Sequence, residues 1–175
     1  MNDIYISGLS PEKQIEKTVD KWLECATDRK STIVFCSDRD KRNDTARRFQ
    51  HVGVDARQYL PDAQSSQRTA VMDAFKAGKF PVLVTCPRAT SAFDIPRVDC
   101  IVLPYRTIYT DFLRQMVEHG TLLCPGKVDC LVIDMHSHMN AIDLPELYGQ
   151  DVSSPEVPQS VLASRLSLCK FLRKR

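Results

Sequence analysis

Four short stretches of the chain are apolar at every position: Ile33 to Cys36, Val82 to Val84, Cys100 to Leu103 and Cys130 to Ile133. A strand with one wet face alternates. Continuous runs of this length, rich in β-branched residues, fit strands covered on both faces, as in a parallel sheet. A weaker run, Ala56 to Leu60, reads as a strand with one open face. Helical spacing fills the intervals. Ile15, Val19, Trp22 and Leu23 recur after Ser10-Pro11, an N-cap followed by a proline at the first helical position. A basic helix is predicted from about Arg39 to Val52, with Ala46 and Phe49 inward and Gly53 closing it. A third runs from about Ser66 to Ala77 on Val71, Met72 and Phe75, closed by Gly78, and a fourth from about Thr110 to Glu118 on Phe112, Leu113 and Met116. One helix and then alternating strands and helices predict an α/β domain, a mostly parallel sheet with helices on both faces. Past Asp134 the pattern breaks. Pro145, Pro155 and Pro158 mark an extended arm, and a last helix is predicted over about 161–175 with Leu162, Leu166 and Phe171 inward. The organisation is thus a lead-in helix (1–26), a central domain (27–139) and an arm with a basic C-terminal helix (140–175).

Composition narrows the classes. The 175 residues are 43% hydrophobic and 26% charged with net charge +2, which excludes a disordered, collagen-like or coiled-coil chain. Near-neutral charge means that binding to a polyanion would need a local basic patch. Two lobes of about 150 residues each do not fit in this length, so the chain by itself holds one lobe of any two-lobed ATP motor. Seven cysteines without close pairing do not read as a disulfide framework and favour a reducing, intracellular compartment. No apolar run of about 18 residues predicts a membrane span. Met1-Asn2-Asp3-Ile4 begins neither a secretory signal nor an Arg-rich transit peptide.

Candidate chemistry is sparse. The helix Arg39-Asp40-Lys41-Arg42-Asn43-Asp44-Thr45-Ala46-Arg47-Arg48 reads either as a solvated face, its charge offset by Asp38, Asp40 and Asp44, or as a face that tracks phosphates. Arg173-Lys174-Arg175 carries the same two readings. His136 and His138 have no completing metal-ligand pattern and read as loop histidines. Cys86, Cys124 and Cys130 read as ordinary thiols, and Asp134 as a structural hydrogen-bonding group at a strand end.

An ordered set of pieces says more. Asp28-Arg29-Lys30-Ser31-Thr32-Ile33-Val34-Phe35-Cys36 is followed by Gly53-Val54-Asp55-Ala56-Arg57, Gln67-Arg68 and Phe75-Lys76-Ala77-Gly78-Lys79-Phe80-Pro81-Val82. Asp94-Ile95-Pro96, Gln115-Met116 and Pro125-Gly126-Lys127-Val128-Asp129-Cys130-Leu131-Val132-Ile133-Asp134 complete it. In this order the chain resembles the second RecA-like domain of superfamily 2 (DEAD/DEAH-type) helicases. It is most similar to the fungal mitochondrial branch-migration ATP-dependent helicases, which carry a similar PGKxDC run. The resemblance spans most of residues 10–150 and implies a three-layer RecA-like fold. It places motif IV on Ile33 to Cys36 with a nucleic-acid-facing helix after it, motif V on Thr85 to Pro96, and motif VI on Gln115 to Leu122. By resemblance, Ser37, Arg39, Arg42, Thr85, Arg88 and Thr90 would face a DNA or RNA backbone, and Asp94 would support nucleotide. ATP and Mg belong to the parent family, with none expected for this chain alone.

The resemblance breaks at the chemistry. Where the family reads Q-M-I-G-R-G-x-R, this chain has Gln115-Met116-Val117-Glu118-His119-Gly120-Thr121-Leu122. His119 and Leu122 stand at the two arginines that reach ATP phosphates across the interdomain cleft. Losing one such finger costs a factor of about a thousand or more in rate. Ala92 replaces the motif V glycine, and no G-x-x-x-x-G-K-[ST] phosphate loop occurs. The expectation is a lobe without ATPase of its own that binds nucleic acid or protein. The alternatives are the second lobe of a helicase (a fragment, or one completed in trans by a first RecA-like domain) and a structural part of a ribonucleoprotein. The family likeness implies mitochondria.

Overall fold

In a computed structural model, the structure describes residues 8–87, 95–106, 110–122, 124–136 and 166–170. Six parallel strands form one sheet in the order β2-β3-β1-β4-β5-β6: β1 (Thr32–Phe35), β2 (Ala56–Gln58), β3 (Val82–Thr85), β4 (Cys100–Leu103), β5 (Cys130–Asp134) and β6 (Leu166–Lys170). Among the described residues, four helices accompany them: α1 (Pro11–Cys25), α2 (Arg39–His51), α3 (Ser65–Lys76) and α4 (Thr110–Thr121). This is the α/β architecture with a parallel sheet that the continuous apolar runs predict, and the RecA-like fold that the family resemblance implies.

Both faces of the sheet are covered, which is why the strands carry no polar alternation. On one face Ile15, Val19 and Trp22 of α1 and Ala46 and Phe49 of α2 pack on Val34, Val84, Val102 and Ile133. On the other, Phe75 of α3 and Leu113, Met116 and Val117 of α4 pack on Ile33, Leu83, Ile101 and Val132. The Trp22 and Phe49 rings meet edge-on at 5.4 Å, and the Trp22 indole N–H donates to the buried Thr32 hydroxyl at 3.1 Å. Ser10 caps α1 by accepting from the Lys13 N–H, and Asp38 caps α2 by accepting from the Lys41 N–H at 2.9 Å. Past α2, Gly53 takes φ +84°, where an L side chain is strained.

Two expectations change. The fourth helix runs to Thr121 rather than Glu118. Leu166–Lys170, expected inside a helix over 161–175, is instead a strand paired in parallel with β5, Cys130 opposite Leu166 and Asp134 opposite Lys170. Pairing to an open sheet edge outweighs a weak helical pattern, since strand preference is set largely by context. The rest of the arm lies outside the described residues.

The PGKxD run has a structural role at the N-terminal edge of the sheet. The Lys127 ammonium donates to the carbonyls of Gly120 (2.8 Å), Leu122 (2.8 Å) and Pro96 (3.2 Å), filling its three donors and closing the end of α4. Asp129 grips the Arg29 guanidinium, while the Asp99 carboxylate accepts from the backbone N–H groups of Lys30 and Ser31, both at 2.9 Å. Gly126 turns the chain between them at φ +81°. These groups line a cleft of about 800 Å³.

Candidate functional site

The carboxyl ends of β1 and β4 meet at a point where the connections diverge. α2 leaves β1 over one face and α4 follows β4 over the other. In open parallel sheets such a divergence leaves a crevice where ligands bind. The crevice is built from the first turn of α2, the residues just past β1, and Tyr105 just past β4.

Arg42 sits in that first turn with only 4% of its surface exposed. Its Nε donates to Gln58 Oε1 at 3.2 Å at the end of β2, and its positive charge pulls the Cys86 pKa down against the larger rise from burial. Among the described residues, no carboxylate lies within ion-pair distance of it. A buried cation without a counter-ion is costly, and an anion at the mouth of the crevice would offset that cost.

Lys41 lies beside it. Its ammonium donates to the Ser37 hydroxyl at 2.9 Å, pairs with Asp38 at 3.1 Å and stands 4.7 Å from the centre of the Tyr105 ring. Burial by itself would raise the Asp38 pKa, but hydrogen bonds from Lys41 and Ser37 outweigh it and hold the carboxyl below its ordinary value. Behind these groups, the Tyr105 hydroxyl lies 3.4 Å from Thr45 Oγ1, and the Cys36 sulfur lies 3.7 Å from that same oxygen. Burial pushes the Tyr105, Cys36 and Cys86 pKa values up, so all three are neutral near pH 7.

The predicted interface residues divide. Ser37 and Arg39 are exposed at the start of α2, and Arg39 has no ion pair among the described residues. Arg42 joins them from below. Thr85 does not: it is fully buried, its hydroxyl 3.5 Å from the Cys86 carbonyl oxygen, so it supports the strand end from within. Arg88, Thr90 and Asp94 lie outside the described residues. Farther along α2, Arg47 pairs with Asp44 and Arg48 with Glu16 and Asp20 of α1, so this half of the basic helix is self-neutralised. Lys41, Gln58 and Tyr105 were not singled out from sequence. Lys41 lay within the basic run, whereas the other two enter the crevice through strand order, which no local pattern encodes.

The motif VI positions lie on another surface. His119 is 6% exposed and its ring stacks on Phe35 at 6.1 Å and 20° between planes, on the α3–α4 face. Gln115 is half-buried on α4, and Leu122 is exposed just past its end. Gly120 lies so close to the sheet that a Cβ would stand 2.6 Å from Cys130 Sγ and 2.9 Å from Ile101 Cδ1. Asp134 accepts the His136 backbone N–H at 3.1 Å, the structural role expected of it. Among the described residues, no three His, Cys, Asp or Glu side chains are grouped to hold a metal, and no helix is long and apolar enough to cross a membrane.

Comparison with known proteins agrees with this architecture. Residues 13–117 match the family described as helicase conserved C-terminal domain. The mitochondrial ATP-dependent helicase irc3 of Schizosaccharomyces pombe is 35% identical over 167 residues, covering 91% of this chain and 27% of that protein. IRC3 of Saccharomyces cerevisiae, an ATP-dependent helicase by name, is 28% identical over 82% of this chain and 22% of its own length. The chain thus spans about a quarter of these relatives. Among solved structures, the C-terminal domain of the DEAD-box protein Dbp5 shares the fold with TM-score 0.60 and 16% identity, covering 90% of this chain and 83% of that one.

Proposed function

The chain belongs to the helicase conserved C-terminal domain family, as part of a superfamily 2 helicase, and on that premise we propose that it is a lobe that binds a nucleic-acid backbone but does not turn over ATP by itself. The observation that carries the binding half is Arg42: a guanidinium 4% exposed, without a carboxylate partner among the described residues, in the crevice at the carboxyl ends of the strands. Arg39 and Lys41 flank it with cationic donors of the kind that phosphate oxygens accept. This set offers positive charges for a phosphate, and no planar amide or aromatic side chain aimed at a base edge is needed to explain it. The reading is therefore a backbone binder without sequence preference, for DNA or RNA alike.

The silent half rests on α4. The position that the family gives to an arginine finger holds His119, packed inward on Phe35, and the second holds Leu122, which has no donor to offer. These residues do not fit an ATP γ-phosphate. A first RecA-like domain, in the same longer chain or as a separate protein, is the partner this reading implies. The short coverage of the relatives supports it. The name of the S. pombe relative points to mitochondria as the place of action.

Fluorescence anisotropy with labelled single-stranded DNA and RNA across a salt series tests the binding half. Three phosphate contacts, from Arg39, Lys41 and Arg42, give a slope of log K against log salt of about −2. Binding that is absent at low salt, or insensitive to salt, overturns the backbone reading in favour of protein contact through this face.

A further inference from the structure

β1 and β3 run side by side in register, Phe35 opposite Thr85. The ladder continues one step further, since the Cys36 N–H donates to the Thr85 carbonyl at 2.7 Å. That brings Cys36 and Cys86 abreast on neighbouring parallel strands, at the mouth of the crevice. Val34 and Val84, two residues earlier, both lie on the α1–α2 face, and strand alternation returns Cys36 and Cys86 to that same face. The Cys86 thiol lies close enough to raise the Cys36 pKa further, and the Arg42 guanidinium of α2 lies near enough to Cys86 to offset part of the rise that burial gives it. Adjacent strands stand about 4.8 Å apart, inside the range of about 4.4–6.8 Å between Cα atoms that a disulfide spans.

We propose that Cys36 and Cys86 are a cross-strand dithiol, oxidised to a disulfide by a peroxide and able to chelate a trivalent arsenical. The pair is asymmetric. Cys36 is fully buried, whereas Cys86 is half-buried and Arg42 offsets part of its desolvation, so Cys86 is the more accessible of the two and the one a peroxide meets first. Its sulfur attacks one peroxide oxygen and the O–O bond breaks. The departing oxygen takes the thiol proton and leaves as water, and Cys86 becomes a sulfenic acid. The Cys36 sulfur then displaces that hydroxyl, which takes the Cys36 proton and leaves as a second water. Two S–H groups and one peroxide thus give one S–S bond and two waters, sulfur oxidised and peroxide oxygen reduced. The bond draws the Cys86 sulfur away from Arg42, so the redox state of the pair bears on the group that carries the proposed backbone contact. That last consequence alone rests on the function proposed above.

The full chain is treated with hydrogen peroxide, alkylated, digested without reduction and mapped by mass spectrometry. The expected result is the loss of two of the seven thiols and a peptide pair joining Cys36 to Cys86. Retention of all seven thiols, links between other cysteines, or sulfinic acid at Cys86 without a link overturns the proposal. A second measurement does not depend on oxidation: phenylarsine oxide should bind one equivalent, and Cys86→Ala, at a half-exposed position outside the strand, should lose it. A wild-type chain that binds none, or a variant that binds as well, also overturns the dithiol. Anisotropy on reduced and oxidised chains separates the two readings. A mapped disulfide with no nucleic-acid binding in either state sinks the backbone function and leaves the dithiol standing.

Discussion

At the scale of single residues, the first turn of α2 does two jobs that pull against each other. Asp38 caps the helix, and its negative charge partly cancels Lys41 in the same crevice. Arg42 is then the buried cation that has no opposing carboxylate among the described residues, whereas Arg39 is wet and screened, so Arg42 should dominate binding. Arg42→Gln keeps a polar side chain opposite Gln58 and should weaken binding to all sequences alike, lowering the salt slope by about one unit. An Arg42→Gln chain that binds with the parental slope would remove Arg42 from the interface. Asp38 gives a pH prediction. Its folded pKa is held below the ordinary 3.8, so the stability from its ionised form is present above about that pH. It is lost as pH falls through the lower folded value. Asp38→Ala removes the cap and should cost about 1 kcal/mol at neutral pH, with the difference from wild type shrinking in acid. Urea melts at pH 7 and near pH 3 check this, and a gap that widens in acid would contradict it.

Among the elements, α4 is fixed by its lower end. Gly120 and Lys127 are the means: one lets the helix approach the sheet, the other satisfies its last carbonyls. Gly120→Ala drives a methyl group into Cys130 and Ile101 and should cost about 1–3 kcal/mol as overpacking, despite the better helix propensity of alanine. Lys127→Met leaves carbonyls in a half-buried place without a donor and should cost about 1–3 kcal/mol. Denaturant melts of both variants measure this, and unchanged midpoints would mean that the end of α4 is held by something else. The legibility of the elements follows the same logic. Ser10-Pro11, Gly53, Gly78 and four unbroken apolar runs each act within a few residues of themselves, so the sequence places α1, α2, α3 and β1, β3, β4 and β5 nearly to the residue. Lys127 acts on residues up to 31 positions away, so its role becomes visible only once the chain has folded. The local pattern misses β6 for a related reason. Leu-Ser-Leu-Cys-Lys has no strong period of its own, and the open edge of β5 decides its state. Arg42 was legible as a basic residue on a helix, but its burial depends on Gln58 and Cys86, brought beside it by the order β2-β3-β1.

For the whole molecule, the proposed silent lobe can be tested by placing arginines at positions 119 and 122, at the end of α4. The crevice at the carboxyl ends of the sheet lies among α2, β1 and β4, whereas His119 lies on the opposite face, against Phe35. A guanidinium at position 119 would start from a site that is 6% exposed and packed on an aromatic ring. Either it stays buried against the Phe35 ring at the cost of desolvating its charge, or α4 shifts to release it, and both routes cost stability. His119→Arg should therefore destabilise the chain by about 3 kcal/mol or more. It should also leave ATP turnover at the blank level, with or without DNA or RNA. Leu122→Arg is the contrasting case. Leu122 is already exposed at the end of α4, so arginine there should fold normally and add one surface charge. Turnover should still be absent, because a finger acts on a phosphate that another lobe must hold. Nucleic-acid-stimulated, saturable turnover by the unaltered chain would remove the silent-lobe reading outright. Turnover gained only when Leu122→Arg is mixed with a first RecA-like domain would locate the defect in α4 and leave the crevice as the intact half of the machine.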